Sequence, residues 1–219
     1  MKTLIFDSSA IISLALNNLI SYIKPLKQKF KGNFLISDEI HEEIIGRPSK
    51  NLKFMLESLQ IKELVKEEIL EIFKEDIIEE TKNILYLANH TFKANGEWIT
   101  ILHGGEASCI AIYNLLNEQK KAIVIDERTT RMLCESPENL RTLLERKLKT
   151  KVEATEKNYD FFKDIKIIRS SELAYMGFIS KIIILPAEKK EAIKALLYGV
   201  KFKGCAISEK EIKEFQTIV

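Results

Sequence analysis

The chain has 219 residues, of which 46% are hydrophobic and 30% are charged, and its 34 lysines and arginines against 32 aspartates and glutamates give a net charge of +2. A disordered chain has fewer hydrophobic residues, and a protein that coats nucleic acid has a larger positive charge, so the composition excludes both classes. At roughly 150 residues per domain, the chain makes one large domain or one domain with an appendage.

The cysteines and the apolar runs exclude other classes. Three cysteines, at positions 109, 134 and 205, are too few for a disulfide framework, and no Cys-x-x-Cys pair is present for a thiolate zinc site. We therefore expect a reducing, cytoplasmic location. The longest stretch without a charged residue, 8–23, is too short and too polar to span a bilayer, and Asp7 stands where a signal peptide needs apolar residues. We expect no membrane or targeting segment.

In chain order, strand patterns alternate with helix patterns. Four short runs that are apolar on both faces predict buried strands. They lie at 3–6, 33–36, 122–125 and 165–168, with a weaker pattern for a fifth strand near 60–61 or 99–101. Capping signals and periodicity predict the helices between them. These helices are expected at 39–45, within 50–93, at 107–117, at 137–149, from 186 to 199, and after Ser208, with a turn at Asn95-Gly96. This order predicts an α/β fold with a parallel sheet, a core at about 1–180 and a helical extension at 181–219.

Two aspartates directly follow predicted strands. The chain has six aspartates, and two of them, Asp7 and Asp126, end apolar runs. In open parallel sheets the ligand crevice lies outside the carboxyl ends of the strands, where a short carboxylate can hold a hard cation. Each aspartate could instead simply cap the helix after it. Two such residues on neighbouring strands, together with two further acids, favour the cation.

Two glutamates complete the acidic set. Glu106 follows the double glycine 104–105 and begins a helix with small residues, which let that helix approach the sheet. Glu43 neighbours the apolar stripe of the first predicted helix and can point along the sheet edge toward the crevice. Glu42 is the alternative if the register shifts, and we expect Glu39 and Glu42 to lie on a solvated face. Taken singly, a glutamate at a helix N-terminus has an ordinary explanation, because it interacts favourably with the helix dipole.

Four carboxylates in one place need a partner. Two unit charges about 4 Å apart repel by roughly 4 kcal/mol at an effective dielectric constant of 20. Such a cluster persists with a divalent cation or with raised pKa values. An all-oxygen set favours Mg²⁺ or Mn²⁺ over zinc, and Mg²⁺ takes phosphate oxygens as further ligands. The expected chemistry is therefore metal-assisted phosphodiester hydrolysis.

These motifs, in this order, resemble the PIN domain family of metal-dependent ribonucleases. The matching segments are LIFDSSA at 4–10, Ile40-x-x-Glu43-Ile44, Gly105-Glu106-Ala107 and IDERTTR at 125–131. The resemblance covers about 1–180, and the segment 200–208 is similar to the closing segment of the VapC-like branch. It implies a three-layer α/β/α fold with a central parallel sheet, a helical insertion at about 50–100 and a C-terminal helical extension. The region 50–103 is longer than in compact members, so we expect it to overhang the crevice.

The resemblance also implies the roles of individual residues. It implies that Asp7, Glu43, Glu106 and Asp126 surround Mg²⁺ or Mn²⁺, with Ser9 supporting the metal or its water. Glu43 would orient or deprotonate the attacking water, and the products would carry 5′-phosphate and 3′-hydroxyl ends. The implied activity is that of an endoribonuclease acting on RNA. Such an enzyme is either a toxin held by a small antitoxin-like protein or an RNA-processing enzyme.

The basic residues allow two interpretations. Arg128 and Arg131 follow Asp126 and could contact an RNA phosphate, although Arg131 could equally pair with Glu127 or Glu135. The basic run 146–151 fits a helix C-terminus better than an RNA track, and no aromatic stacking signature is evident. The apolar stripe at 173–185 predicts core or a homodimer face.

Two other function classes compete with the nuclease. A catalytically weak PIN-like module could bind RNA or a protein, and residues 50–103 filling the crevice would favour it. A phosphatase of the haloacid dehalogenase type needs a second acid two residues after Asp7, where Ser9 stands.

Overall fold

A parallel sheet of short strands lies at the centre of the fold. The computed structural model describes residues 2–48 and 52–218, so that 1, 49–51 and 219, including the first two positions of the predicted insertion, lie outside the described residues. The strands of the main sheet are β1 (Lys2–Phe6), β2 (Asn33–Ile36), β3 (Glu71–Ile72), β6 (Lys120–Val124) and β8 (Ile167–Ile168). Within the described residues they pair in the order β3-β2-β1-β6-β8, and every pairing is parallel.

Helices flank this sheet, and a small antiparallel sheet stands beside it. The helices are α1 (Ser8–Leu16), α2 (Ile23–Phe30), α3 (Asp38–His41), α4 (Met55–Lys66), α5 (Ile78–Asn89), α6 (Gly104–Leu115), α7 (Arg128–Glu135), α8 (Pro137–Leu148), α9 (Tyr159–Phe162), α10 (Ser170–Ile179), α11 (Lys189–Phe202) and α12 (Glu209–Thr217). The small sheet consists of β4 (Phe92–Ala94), β5 (Glu97–Trp98) and β7 (Val152–Ala154), in the order β5-β4-β7. The predicted α/β class with a parallel sheet is therefore confirmed.

The strand order places a crevice at the centre of the sheet. From β1 the chain moves outward to β2 and β3 on one side, and β6 and β8 lie on the other side. The direction of winding therefore reverses between β1 and β6, and ligands bind outside the carboxyl ends of the strands at such a switch point. The backbone N–H of Asp7 donates to the carbonyl of Val124 at 2.9 Å, so the pairing of the two strands continues up to the first aspartate.

The four predicted strands are confirmed, whereas the predicted positions of the fifth strand were wrong. The fifth strand is β3, which pairs Leu35 with Glu71. Ile61 lies in α4 instead, where it is buried with Ser58 and Leu64 at helical spacing. The region 52–103 is also not purely helical, because it contributes β3 to the main sheet and the hairpin β4-β5 to the small one.

The C-terminal extension is helical as predicted, but its first helix does not end at Gly199. Helix α11 continues to Phe202 because its apolar face continues, with Leu196, Leu197 and Val200 all buried. The extension is joined to the core by Arg169, which pairs with Glu172 and, at 2.7 Å, with Glu211 of α12. No helix in the described part of the chain is both long enough and apolar enough to cross a membrane.

Candidate active site

Asp7 is the centre of the candidate site. It stands directly after β1, is only 3% exposed, and caps α1 by accepting the N–H of Ser9 at 2.9 Å. The Ser9 hydroxyl also donates to the Asp7 carboxylate and accepts the backbone N–H of Asp126 at 3.0 Å. Asp7 is therefore both a helix cap and an acid of the crevice, and Ser9 ties it to the end of the neighbouring strand.

Glu43 reaches the same crevice from a π-helical turn, Glu42–Gly46, which follows α3. Such turns are uncommon and are frequent at functional sites. A Cβ atom added to Gly105 would lie 3.1 Å from the Glu43 Oε1 atom and 3.0 Å from Ile40 Cδ1. The Glu43 carboxylate therefore lies against the backbone at the start of α6, where a side chain on Gly105 would crowd it. Of the two register alternatives, Glu43 is the one that enters the crevice.

Glu106 lies in the first turn of α6. Its Oε2 atom accepts the backbone N–H of His103 at 2.6 Å, so this carboxylate closes a capping box. Burial raises its pKa, the charges of Glu127 and Glu43 raise it further, and the hydrogen bond from His103 lowers it. Glu106 therefore both caps the start of α6 and lines the crevice.

These three acids line one cavity of about 400 Å³. Its lining consists of Asp7, Ser8, Glu39, Glu43, Arg47, His103, Gly104, Gly105 and Glu106. Of the region 50–103, His103 alone among the described residues lines it, so the cavity lining supports the expected overhang only at the last position of that region. Glu39 is exposed, as expected for a residue on a solvated face, and it also belongs to the lining. Its carboxylate occupies the space that a Cβ atom on Gly104 would take.

The acids perturb one another electrostatically. Burial raises the pKa of Asp7 to about 7, the charges of Glu106 and Glu43 add to this, and the hydrogen bonds from Ser9 oppose it. The pKa of Glu39 is also raised, by burial and by the charge of Glu43, while Arg47 lowers it. The cavity is thus a partly buried anionic site with one arginine at its wall.

Cys109 lies beneath the acids. It is buried, and its thiol donates to the carbonyl of Phe6 at 3.6 Å. Burial raises its pKa well above the ordinary range, and the charges of all four lining acids raise it further. Those acids are Asp7, Glu39, Glu43 and Glu106. The thiol is therefore kept protonated and is not a nucleophile. The effect of all four acids on its pKa indicates that their carboxylates lie around the same point of the fold.

The carboxylate of Asp126 does not line the cavity. Its Oδ1 atom accepts the backbone N–H of Ser170 at 2.8 Å, and its Oδ2 atom accepts the Ser170 hydroxyl at 2.6 Å. Burial raises its pKa, and hydrogen bonds from Ser170, Cys205 and Ser13 oppose this. Asp126 therefore holds the start of α10, the helix that follows β8. Asp7 is the first residue after β1, whereas Asp126 is the second residue after β6.

The two arginines after Asp126 have different surroundings. Arg131 donates to the carbonyl of Ala206 at 2.9 Å and forms an ion pair with Glu135 at 3.5 Å, so the pairing interpretation holds for it. Arg128 is exposed. Neither lines the cavity, whereas Arg47, which the sequence did not single out as a phosphate contact, does. His103 also lines it, and it caps α6, so both a phosphate contact and a capping role stay open for it.

The carboxylate oxygens of the cavity are the type of ligand that a hard cation prefers, but they are not arranged as a coordination shell. Within residues 2–48 and 52–218, no three or more histidine, cysteine, aspartate or glutamate side chains stand in an arrangement that could hold a metal ion. The candidate donors are carboxylate oxygens, which Mg²⁺ and Mn²⁺ prefer. Binding a cation would therefore have to draw Glu43 and Glu106 toward the firmly held Asp7.

No family model, no curated protein and no solved structure matches this chain.

Proposed function

We propose that this protein is a Mg²⁺- or Mn²⁺-dependent endoribonuclease of the PIN type, which hydrolyses RNA phosphodiester bonds. The observation that carries the proposal is the meeting of Asp7, Glu43 and Glu106 in one cavity at the switch point of the sheet. Three elements far apart in sequence supply these acids, and the double glycine leaves space for their approach.

The electrostatics support a cation as the missing partner. The raised pKa values of Asp7, Glu39 and Glu106 show that the fold holds their charges at a cost in free energy. Proteins keep such arrangements where the charges serve a function, as at metal and catalytic sites. A bound Mg²⁺ or Mn²⁺ would polarise the scissile phosphate and stabilise the leaving oxygen.

The side chains of the cavity have separable tasks in this proposal. Asp7 is fixed by Ser9 and serves as the rigid anchor of the acidic set. Glu43 comes from the facing wall of the cavity and accepts the proton of the attacking water. Arg47 and His103 lie at the rim and offer positive or polar groups to the anionic phosphate.

A cleavage assay tests the proposal. We expect the wild-type protein to cleave a mixed single-stranded RNA in Mn²⁺, to lose this activity in EDTA, and to leave 5′-phosphate ends. Asp7→Asn and Glu106→Gln should each lower the rate by about 10²-fold or more. Glu42→Gln is the matched control, because Glu42 is exposed and outside the cavity, and it should cleave normally.

A catalytically weak RNA- or protein-binding module is the second candidate. It is favoured by Asp126, the fourth acid of the resemblance, whose two carboxylate oxygens are engaged by Ser170. Wild-type protein that binds RNA yet shows no Mn²⁺-dependent cleavage would establish this alternative. An antitoxin-like partner belongs to the toxin form of the nuclease proposal, whereas the homodimer and the cytoplasmic location stay predictions from the apolar stripe 173–185 and from the cysteine content.

A further inference from the structure

Tyr86 and His90 at the end of α5 form a ring stack together with Trp98 of β5. Tyr86 is 62% exposed and Trp98 is 45% exposed. The half-buried ring of His90 is stacked on that of Tyr86, with 29° between the planes, and is tilted by 54° against that of Trp98. The ring centroids are 4.1 Å apart for Tyr86 and His90 and 5.0 Å apart for His90 and Trp98. Large aromatic side chains at this exposure offer flat apolar faces to a partner.

The stack is held in place before any partner arrives. The Nδ1 atom of His90 lies 2.8 Å from the carbonyl oxygen of Tyr86, and Lys93 lies over the ring of Trp98 at 5.2 Å. Lys93 pairs directly with Trp98 across the hairpin and with Glu153 on β7, so all three share one face of the small sheet. The opposite face carries the buried side chain of Val152, so the face with Trp98 points outward.

The basic run 146–151 ends helix α8, as the sequence predicts, and it also lies beside this hairpin. The hydroxyl of Thr150 donates to the Asn95 side chain at 3.1 Å, which places the end of α8 against the Asn95-Gly96 turn. The run contains Arg146, Lys147, Lys149 and Lys151, and all four are exposed. Among the described residues, none of them forms an ion pair with a carboxylate. With Lys93 they outnumber the exposed acids of the small sheet, Glu97 and Glu153.

A rigid segment joins the ring stack to the acidic cavity. The Asn89 side chain accepts the N–H groups of Ile101 and Leu102 at 2.7 and 2.9 Å, and it donates to the carbonyl of Leu102 at 3.0 Å. This fixes the stretch between Trp98 and Gly104 against the end of α5. Six residues of chain reach at most about 21 Å, so the Cα atom of Trp98 lies within that distance of the Cα atom of Gly104 at the cavity wall.

We propose that Tyr86, His90 and Trp98 form a stacking platform for the bases of single-stranded RNA, with Lys93 and the 146–151 run contacting its phosphates. Stacking on aromatic rings beside a positively charged track is the physical basis of single-strand binding, and it tolerates any base. The inference rests on the proposed function, because it names the surface that would hold the substrate of the nuclease.

Trp98 is the only tryptophan in the chain, so its fluorescence reports directly on the platform. The test uses the Asp7→Asn variant of the 219-residue chain in EDTA, so that no RNA is cleaved and no metal is needed. A short oligoadenylate should quench the fluorescence saturably, and a duplex of the same length should quench it much less. The affinity should fall steeply with added salt.

Single substitutions distinguish the contribution of ring stacking to RNA binding from the contribution of positive charge. With a fluorescein-labelled oligoadenylate, Trp98→Ala and Tyr86→Ala should each weaken binding by about fivefold to a hundredfold. Phe202→Ala is the aromatic control, since Phe202 is 75% exposed on α11 and outside the platform. Lys149→Gln with Lys151→Gln should weaken binding and flatten its salt dependence. Lys194→Gln is the control, because Lys194 is exposed on α11 and outside the basic run, and it should do neither.

The outcomes distinguish this inference from the nuclease proposal. Unquenched Trp98 fluorescence, or equal affinities of Trp98→Ala and Phe202→Ala, would overturn the platform even if the protein cleaves RNA. Quenching with a loss of affinity in Trp98→Ala would establish the platform even if the wild-type protein with Mn²⁺ leaves RNA intact.

Discussion

Asp7 and Asp126 follow adjacent strands, yet their surroundings differ. Asp7 is buried among other acids with Ser9 as its hydrogen-bond partner, and its pKa is raised from 3.8 to about 7. Asp126 receives two hydrogen bonds from Ser170 and secures the start of α10. Burial raises the pKa of Asp126 as well, so the two residues differ in their neighbours: Asp7 faces the acids of the cavity, whereas Asp126 secures α10.

The pKa of Asp7 makes a prediction about stability in metal-free buffer. Because the folded state holds the proton more tightly than the unfolded state, the contribution of this group is fully present below about pH 4 and is lost as the pH rises through 7. Asp7→Asn removes the charge, so at pH 8 the variant should be more stable than wild type by up to about 4 kcal/mol. Urea unfolding in EDTA at pH 8 and at pH 4 measures the difference, which should vanish at the lower pH.

The control for this prediction is Glu42→Gln, which changes an exposed acid of the same region. It should leave the free energy of unfolding unchanged at both pH values. A destabilised Asp7→Asn variant at pH 8 would show that the hydrogen bonds from Ser9 outweigh burial and repulsion.

At the scale of elements, the start of α6 decides how closely the acids approach. The backbone of Gly104 and Gly105 lies against the carboxylates of Glu39 and Glu43, which come from α3 and the π-helical turn. A side chain at either position would need the same space. Packing between two elements, rather than any single contact, therefore shapes the cavity.

Substitution of the two glycines by alanine should lower the free energy of unfolding by different amounts. In Gly105→Ala the new methyl group would meet the buried Ile40 Cδ1 at 3.0 Å and Glu43 Oε1 at 3.1 Å, so we expect a loss of about 1–3 kcal/mol and reduced cleavage. In Gly104→Ala the methyl group meets only the carboxylate of the exposed Glu39, which can swing away, so the loss should be smaller. Thermal unfolding and the RNA cleavage rate of both variants check this order, and equal losses would contradict it.

The whole molecule brings the site together through its topology. The carboxyl ends of β1 and β6 meet at the switch point, and α3, the π-helical turn and α6 close over that end of the sheet. The C-terminal extension is attached on the Asp126 side, where Arg131 and Arg169 both donate to the carbonyl of Ala206. The acidic cavity itself stays lined by residues from the core.

Binding of a divalent cation should stabilise the whole molecule, because a ligand that binds only the folded state raises its stability. At a concentration one hundred times the dissociation constant the gain is about 2.7 kcal/mol. We expect Mn²⁺ to raise the melting temperature of the wild-type protein and of Glu42→Gln, but not that of Asp7→Asn. An equal rise in Asp7→Asn would mean that the cation binds elsewhere.

Much of this architecture could be predicted because it depends on local pattern. The run 33–36 is apolar on both faces and forms β2 over the same residues. Ser208 and Glu211 form the predicted capping box of α12. The position of β3 could not be predicted, since Glu71 and Ile72 make a strand only because the edge of β2 lies beside them.

The candidate site, too, was predictable where it depends on local pattern and unpredictable where it depends on tertiary packing. The alternation of apolar runs with helical segments, and the acids placed directly after those runs, determine on their own that Asp7 stands at the carboxyl end of a parallel sheet. Only the tertiary structure decides that Glu39 enters the cavity, that Asp126 turns to Ser170, and that Trp98 meets His90 and Tyr86. The reason is physical: backbone pattern places a Cα atom, whereas the direction and the neighbours of a side chain depend on how distant elements pack around it.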